Sequence, residues 1–251
     1  MKREIQLSVP NLNIDIVENL RECIETGWVS TGGRFIGEFE KKFADYLGTE
    51  AAVSTQSGTA GLHLALRELG AEHGDEVIVP TLTFIAAVNP AAYLGAVPVF
   101  MDCDDTLCMD ADKLAQFLKA ECGKDPQGQL IDRTTGRKVK AVIAVHIFGN
   151  ACNMDRIMEL AHEYNLKVLE DATEALGTCL TEGRYQGKFA GTIGDMGVYS
   201  FNANKIITTG GGGMVVSKDK AALEHMRYLS ITAMTKWDIT SGWSTRRLRS
   251  A

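Results

Sequence analysis

Ala141-Val142-Ile143-Ala144-Val145 is followed by Met154-Asp155-Arg156-Ile157-Met158-Glu159-Leu160-Ala161-His162-Glu163-Tyr164 and then by Lys167-Val168-Leu169. The two apolar runs predict strands and the stretch between them predicts a helix. The same alternation extends in both directions. Asn11 to Glu25 carries Ile14, Val17, Leu20 and Ile24 on one helical face, stopped by Gly27. A second helical run holds Ile36, Phe39, Phe43 and Leu47 and closes at Gly48. Ala51–Ser54 is a short strand, and Ser57-Gly58-Thr59 opens a helix with Leu62, Leu66 and Leu69. Val77–Val79 is a buried strand ended by Pro80, with a helical stretch after it despite Pro90. Val97–Phe100 is another strand, followed by a helix containing Leu114, Phe117 and Leu118. Val198-Tyr199-Ser200 and Met214-Val215-Val216 complete the strand set. Strands alternating with helices predict an α/β fold: three layers, α/β/α, with a mostly parallel sheet covered on both faces.

Residues 121–138 are polar and turn-rich, and read as a surface excursion rather than a linker between domains. No internal repeat is visible. The last stretch changes character, with Lys236, Arg246, Arg247 and Arg249 set against Asp238, so one domain is expected over 1–233 and an atypical basic tail over 234–251.

The chain has 251 residues, 45% of them hydrophobic, and a net charge of only −6, which excludes disorder and leaves room for a large core. No apolar run is long enough to span a membrane, and Met1-Lys2-Arg3-Glu4-Ile5-Gln6 lacks a secretory apolar region. The cytoplasm is the expected compartment. A net negative charge argues against a nucleic-acid surface. Six scattered cysteines without a CxxC pair read as buried small hydrophobes or free thiols, and no metal site is expected.

In a parallel sheet, ligands sit beyond the carboxyl ends of the strands. After Ala51–Ser54 comes Ser57-Gly58-Thr59, where free backbone N–H groups and the helix dipole suit a phosphate. Taken alone, that triplet reads more readily as a helix cap than as an anion site. Phe84 follows the strand Val77–Val79 and could be core or could stack on a planar ring. Asp171 ends an apolar strand, where a carboxylate is costly unless it caps a helix or meets a donor or cation. Lys205 follows Ser200-Phe201-Asn202-Ala203-Asn204, and by itself would be a solvated surface charge. Together, an anion cradle, an aromatic face, a buried carboxylate and a lysine are what pyridoxal 5′-phosphate (PLP) requires. The Thr208–Gly213 run lacks a following GK[ST], so a Walker loop is excluded, and its glycines are read as letting the backbone pass close to the cofactor.

From Trp28 to Val216 the chain resembles the DegT/DnrJ/EryC1/StrS sugar aminotransferases, PLP enzymes of fold type I. The likeness is carried in order by Gly27–Gly33, Ser57–Ala60, Gly74–Pro80, Glu170-Asp171-Ala172, Gly194-Asp195, Ser200–Lys205 and Thr208–Gly213. The resemblance implies that Lys205 is the Schiff-base lysine and proton shuttle. It implies that Asp171 pairs with the pyridine nitrogen, that Phe84 stacks on the ring, and that Gly58, Thr59 and Ser200 hold the phosphate. Glu174 stands where the family often has Gln or His near the ring hydroxyl.

The resemblance further implies amino transfer from glutamate to a keto-sugar nucleotide, in a homodimer. Arg133–Lys140, followed by Val145–Asn150, looks like the branch acting on UDP-linked 4-keto-6-deoxy-HexNAc sugars. His146 reads as a core or strand-end histidine and is given no role. Family members continue into a small C-terminal domain that this chain does not show, so a truncated, catalytically weak PLP-fold fragment is an alternative expectation. A related sugar dehydratase is a further one, against which Lys205 speaks, because that branch carries His there.

Overall fold

The computed structural model describes residues 9–12, 15–30 and 32–240, and side chains within these except at Asp15 and at 231–240. Helices α1 (Asp15–Thr26) and α2 (Arg34–Leu47) precede strand β1 (Ala51–Thr55) and helix α3 (Gly58–Glu68). Strand β2 (Glu76–Pro80) leads through a 3₁₀ turn at Ile85–Ala87 into α4 (Asn89–Tyr93) and β3 (Val97–Met101). Pro90 is tolerated because it lies in the first turn of α4, where its missing N–H has no intrahelical partner to lose. Then come α5 (Ala111–Glu121), β4 (Cys122–Lys124), β5 (Leu130–Asp132), β6 (Val139–Val145), α6 (Met154–Tyr164) and β7 (Lys167–Asp171). Strands β8 (Met196–Ser200) and β9 (Gly213–Ser217) and helix α7 (Lys220–Thr240) end the described chain. Among the described residues, no helix is long and apolar enough to cross a membrane.

Seven strands form one sheet in the order β1-β9-β8-β7-β6-β2-β3. The pairings β3–β2, β2–β6, β6–β7 and β7–β8 are parallel, as expected of a sheet built by helical crossovers. Strand β9 runs antiparallel to both β8 and β1. The cause is the connection: no helix intervenes between Ser200 and Gly213, so the chain turns back beside the strand it has just left.

Alternation along the strands assigns the two faces. Val53, Val198 and Val215 share a buried cluster with Leu62 and Leu66 of α3 and with Leu223 and Met226 of α7. Their sequence neighbours Ala52, Tyr199, Met214 and Val216 pack on the other side against Phe43, Ala44 and Leu47 of α2. Phe43, Tyr199 and Phe201 interlock there, with ring centroids 5.0 and 5.4 Å from Phe43. Burial of such a side chain contributes roughly 1.5–3 kcal/mol, which is what seats α2 on the sheet.

Two parts of the chain lie differently from their sequence pattern. The apolar stripe of α1 is solvent-facing, with Val17, Leu20 and Ile24 all exposed, while Ile14 lies outside the described residues. Helix α1 is held instead by polar contacts from Glu22 to Arg34. Ile16 and Leu20 border a groove of about 760 Å³ whose other walls include Phe35, Phe39 and Phe201. Helix α7 continues across residues 233–234 to Thr240, and 241–251 lie outside the described residues.

The polar excursion is a hairpin, β4 against β5, that docks at the amino ends of β2 and β6. The Glu76 N–H donates to the Lys138 carbonyl at 2.7 Å, and Thr135 Oγ1 donates to Glu76 Oε1 at 2.7 Å. Glu76 is buried, and that burial pushes its carboxyl above the usual range; the Thr135 hydroxyl opposes the shift and the nearby Asp132 adds to it. An acid whose folded value is raised costs nothing while protonated and destabilises progressively as the pH climbs past its ordinary range. Glu76→Gln keeps an acceptor for Thr135 and removes the charge. Thermal melts should show the variant gaining roughly 2–4 °C over the parent at pH 8, and a smaller gain at pH 5. An equal gain at both values would mean that charge burial is not the cause.

Candidate active site

The carboxyl ends of β1, β7 and β8 meet the loop before β9 at a cleft of about 390 Å³. Gly58, Thr59, Phe84, Asp171, Glu174, Ser200 and Lys205 all line it, together with Gln56, Ser57, Thr173, Asn202, Asn204, Gly211 and Gly212. The seven residues singled out in the sequence therefore share one concavity, although they are spread over four connections of the chain.

One wall is the start of α3. Ser57 is extended, and its hydroxyl accepts the Ala60 N–H at 3.0 Å, which ends the turn after β1 and leaves the other first-turn N–H groups free of intrahelical partners. A Cβ at Gly58 would lie 3.0 Å from both Ser200 Cβ and Thr173 Cγ2, tight enough that these side chains would have to shift, so glycine suits the close approach of the three segments. The chain after Lys205 is equally tight: a Cβ at Gly213 would lie 2.6 Å from the Ser57 carbonyl carbon. Its glycines bring backbone to the cleft wall.

The opposite wall carries charge. Asp171, the last residue of β7, is 4% exposed and accepts the Thr173 N–H at 3.0 Å. No helix follows it, so the cap reading reduces to a tight turn. Burial drives the Asp171 carboxyl above the usual range, while that N–H and, at longer reach, His146 and Lys205 pull the other way. Lys205 Nζ lies 3.2 Å from Glu174 Oε1, and the Phe148 N–H donates to Glu174 Oε2 at 3.1 Å. Lys205 is the one cation among the described residues lining the cleft. Phe84 stands at the mouth, 73% exposed, with its ring available as a cover.

Behind the cleft, His146 is fully buried and hydrogen-bonded at both ring nitrogens. Its Nδ1 accepts the Cys152 backbone N–H at 3.1 Å, so the ring hydrogen is on Nε2 and is donated to Glu170 Oε2 at 2.9 Å. Burial opposes ionisation of Glu170, yet His146 and the N–H groups of Gly191, Ile193 and Gly194 hold its carboxyl below the usual range. Adjacent residues of β7 thus differ: Glu170 is fully compensated within the protein, and Asp171 is not.

Sequence reasoning left four polar lining residues without roles: Gln56, Thr173, Asn202 and Asn204. All sit within or beside motifs already quoted, so proximity to Gly58, Asp171 and Lys205 along the chain was the available signal. The Arg133–Lys138 excursion, by contrast, lies at the amino ends of the strands and lines no part of the cleft.

The donor set fits PLP. The glycine-walled α3 terminus suits a phosphate, Lys205 offers an amine, and Asp171 is a buried carboxylate whose cost a pyridinium N–H would offset. Without that partner Asp171 destabilises the fold as the pH rises past the ordinary aspartate range near about 3.9. Asp171→Asn should therefore melt at a higher temperature than the parent in the PLP-free state, by a margin that widens from pH 4 to pH 8. Its PLP affinity should fall about tenfold or more with loss of the charge-assisted bond. Equal melting temperatures across that range would contradict the assignment of a buried charge.

A scan against protein-family models matches residues 10–246 to the DegT/DnrJ/EryC1/StrS aminotransferase family. The chain is 42% identical over 226 residues to the GDP-perosamine synthase of Caulobacter vibrioides, covering 90% of this chain and 55% of that protein. Among solved structures, it superposes on the PLP form of Spr1654 from Streptococcus pneumoniae with a TM-score of 0.75 at 27% identity, covering 91% of this chain and 58% of that one. It also superposes on DesI with its TDP-sugar product, at a TM-score of 0.71 and 34% identity, covering 85% and 49%. The chain spans about half the length of the curated relatives it matches. It belongs to the DegT/DnrJ/EryC1/StrS aminotransferase family, whose cofactor is pyridoxal 5′-phosphate.

Proposed function

We propose that this protein transfers an amino group from glutamate to a nucleotide-linked keto-sugar. The observation that carries the reading is the convergence of Lys205, Asp171, Phe84, Ser200 and the α3 start on one cleft. PLP, when bound, supplies the electron sink that makes the α-hydrogen of an amino acid removable. In this reading Lys205 carries the cofactor covalently and shuttles the proton. Asp171 faces the pyridine nitrogen and favours its protonated form. Gly58, Thr59 and Ser200 hold the phosphate at the helix terminus, Phe84 covers the ring, and Glu174 stands between Lys205 and the Phe148 turn. Function as a homodimer is part of the same proposal.

For the acceptor, a UDP-linked 4-keto-6-deoxy-HexNAc is our candidate, resting on the resemblance of Arg133–Asn150. The excursion Arg133–Lys138 lies at the far end of the sheet and lends that likeness no contact, and the Val145–Asn150 part meets the cleft through the Phe148 N–H to Glu174. The relative whose name specifies a GDP sugar favours a second acceptor, a GDP-linked 4-keto-6-deoxy-hexose. Assays with glutamate and each acceptor separate the two by which sugar gains an amine.

The basic test is loading. Purified protein mixed with PLP and reduced with borohydride should yield one pyridoxyl-modified peptide, that containing Lys205, and Lys205→Ala should abolish it without changing the circular dichroism spectrum. Modification at another lysine would overturn the assignment.

A further inference from the structure

Glu174 is held at both carboxylate oxygens. One touches the Lys205 ammonium at 3.2 Å and the other takes the Phe148 N–H at 3.1 Å. Phe148 reaches that position in the left-handed region, φ +54° and ψ +19°, a conformation unfavourable for a side chain of its size. The turn after β6 therefore adopts a disfavoured backbone while directing a donor at Glu174. Asp171, the other carboxylate of the cleft, is buried and engaged with Thr173, and the contact to the amine is made by Glu174. Two acids in one site have two environments, and different environments imply different tasks.

We propose that Glu174 is the proton acceptor that readies Lys205 for attachment of PLP, a role that rests on the PLP reading above. An ammonium has no lone pair and cannot attack a carbonyl. Glu174 Oε1 takes one proton from Lys205 Nζ, and the freed lone pair adds to the aldehyde carbon. Nitrogen loses a second proton to the aldehyde oxygen, making it a hydroxyl. The proton stored on Glu174 then converts that hydroxyl to leaving water as the C=N bond forms. Glu174 ends as it began, and no oxidant or further reactant is needed. Phe148 fixes the far oxygen so that the near one faces the amine.

The test measures the rate at which PLP-free protein forms the C=N bond, by stopped-flow absorbance, for the parent, Glu174→Gln and Glu174→Ala, with Lys205→Ala as the blank. Glutamine is close in shape but has a single acceptor oxygen, so it can satisfy the Phe148 N–H or the Lys205 ammonium and not both, and it cannot take a proton. Both Glu174 variants should be slower by about a hundredfold, the lower end of what a positioned base supplies. Added acetate or formate should accelerate Glu174→Ala, and not the parent, by restoring a carboxylate in the space left. Melting curves check that each variant is folded, and the isosteric Gln variant carries the test if Ala does not fold. A Gln variant within about twofold of the parent would overturn the proposal and leave PLP binding intact. Failure of the parent to attach PLP at Lys205 would overturn both readings.

Discussion

Two consecutive carboxylates close strand β7, and the site depends on how differently they are satisfied. A strand places neighbouring side chains on opposite faces, so Glu170 and Asp171 meet different surroundings. Glu170 turns into the body of the protein, where the His146 ring and three backbone N–H groups surround it and keep it ionised despite complete burial. Those bonds tie together the end of β6, the end of β7 and the Gly191–Gly194 segment before β8. Asp171 borders the cleft with the backbone N–H and side chain of Thr173 as its close partners, and burial leaves it short of positive charge. The same strand end thus supplies a structural anchor and an uncompensated acid, and the latter is the feature that fits a pyridinium.

Around that acid the sheet edge brings together groups from distant parts of the chain. The start of α3 and the start of β9 approach more closely than any side chain at Gly213 would permit, and a Cβ at Gly58 would press on Ser200 and Thr173. The approach is possible because β9 returns antiparallel between β1 and β8, laying Gly213 against both Thr55 and Ser200. The start of α3 and the lysine-bearing loop are consequently parts of one closely packed seam. The aromatic contacts of Phe201 with Phe39 and Phe43 fasten that seam to α2 just beyond Ser200.

Stability and chemistry occupy opposite ends of the sheet. The hairpin β4–β5 covers the amino ends of β2 and β6 and carries its own buried acid, Glu76, remote from the cleft. The titration of Glu76 acts on the fold alone, whereas that of Asp171 acts on fold and site together. The exposed stripe of α1 belongs to neither end. It borders the groove beside α2 and adds no cover to the main core.

Local pattern was enough for much of this. Apolar runs bounded by Gly and Pro place every strand of the large sheet within a residue or two, because buried strands are continuously apolar and their ends are punctuated. Gly58, Thr59, Phe84, Asp171 and Lys205 could be named because each comes shortly after a strand or at its end, where the backbone itself delivers the side chain to the carboxyl edge, whereas Ser200 and Glu174 were singled out by the family resemblance. Tertiary structure decided the rest. The direction of β9 follows from the short helix-free return after Ser200, but its insertion beside β1 depends on a partner far away in sequence, Thr55. The burial of His146 depends on Glu170 and Cys152, and hydrophobic period says nothing about which polar groups meet in a core. Glu174 meets Lys205 with one oxygen and the Phe148 N–H with the other, the latter from a left-handed turn that no residue type at that position announces. Periodicity could show that α1 has an apolar face, but not what that face meets, since exposure is a property of neighbours and not of the helix itself.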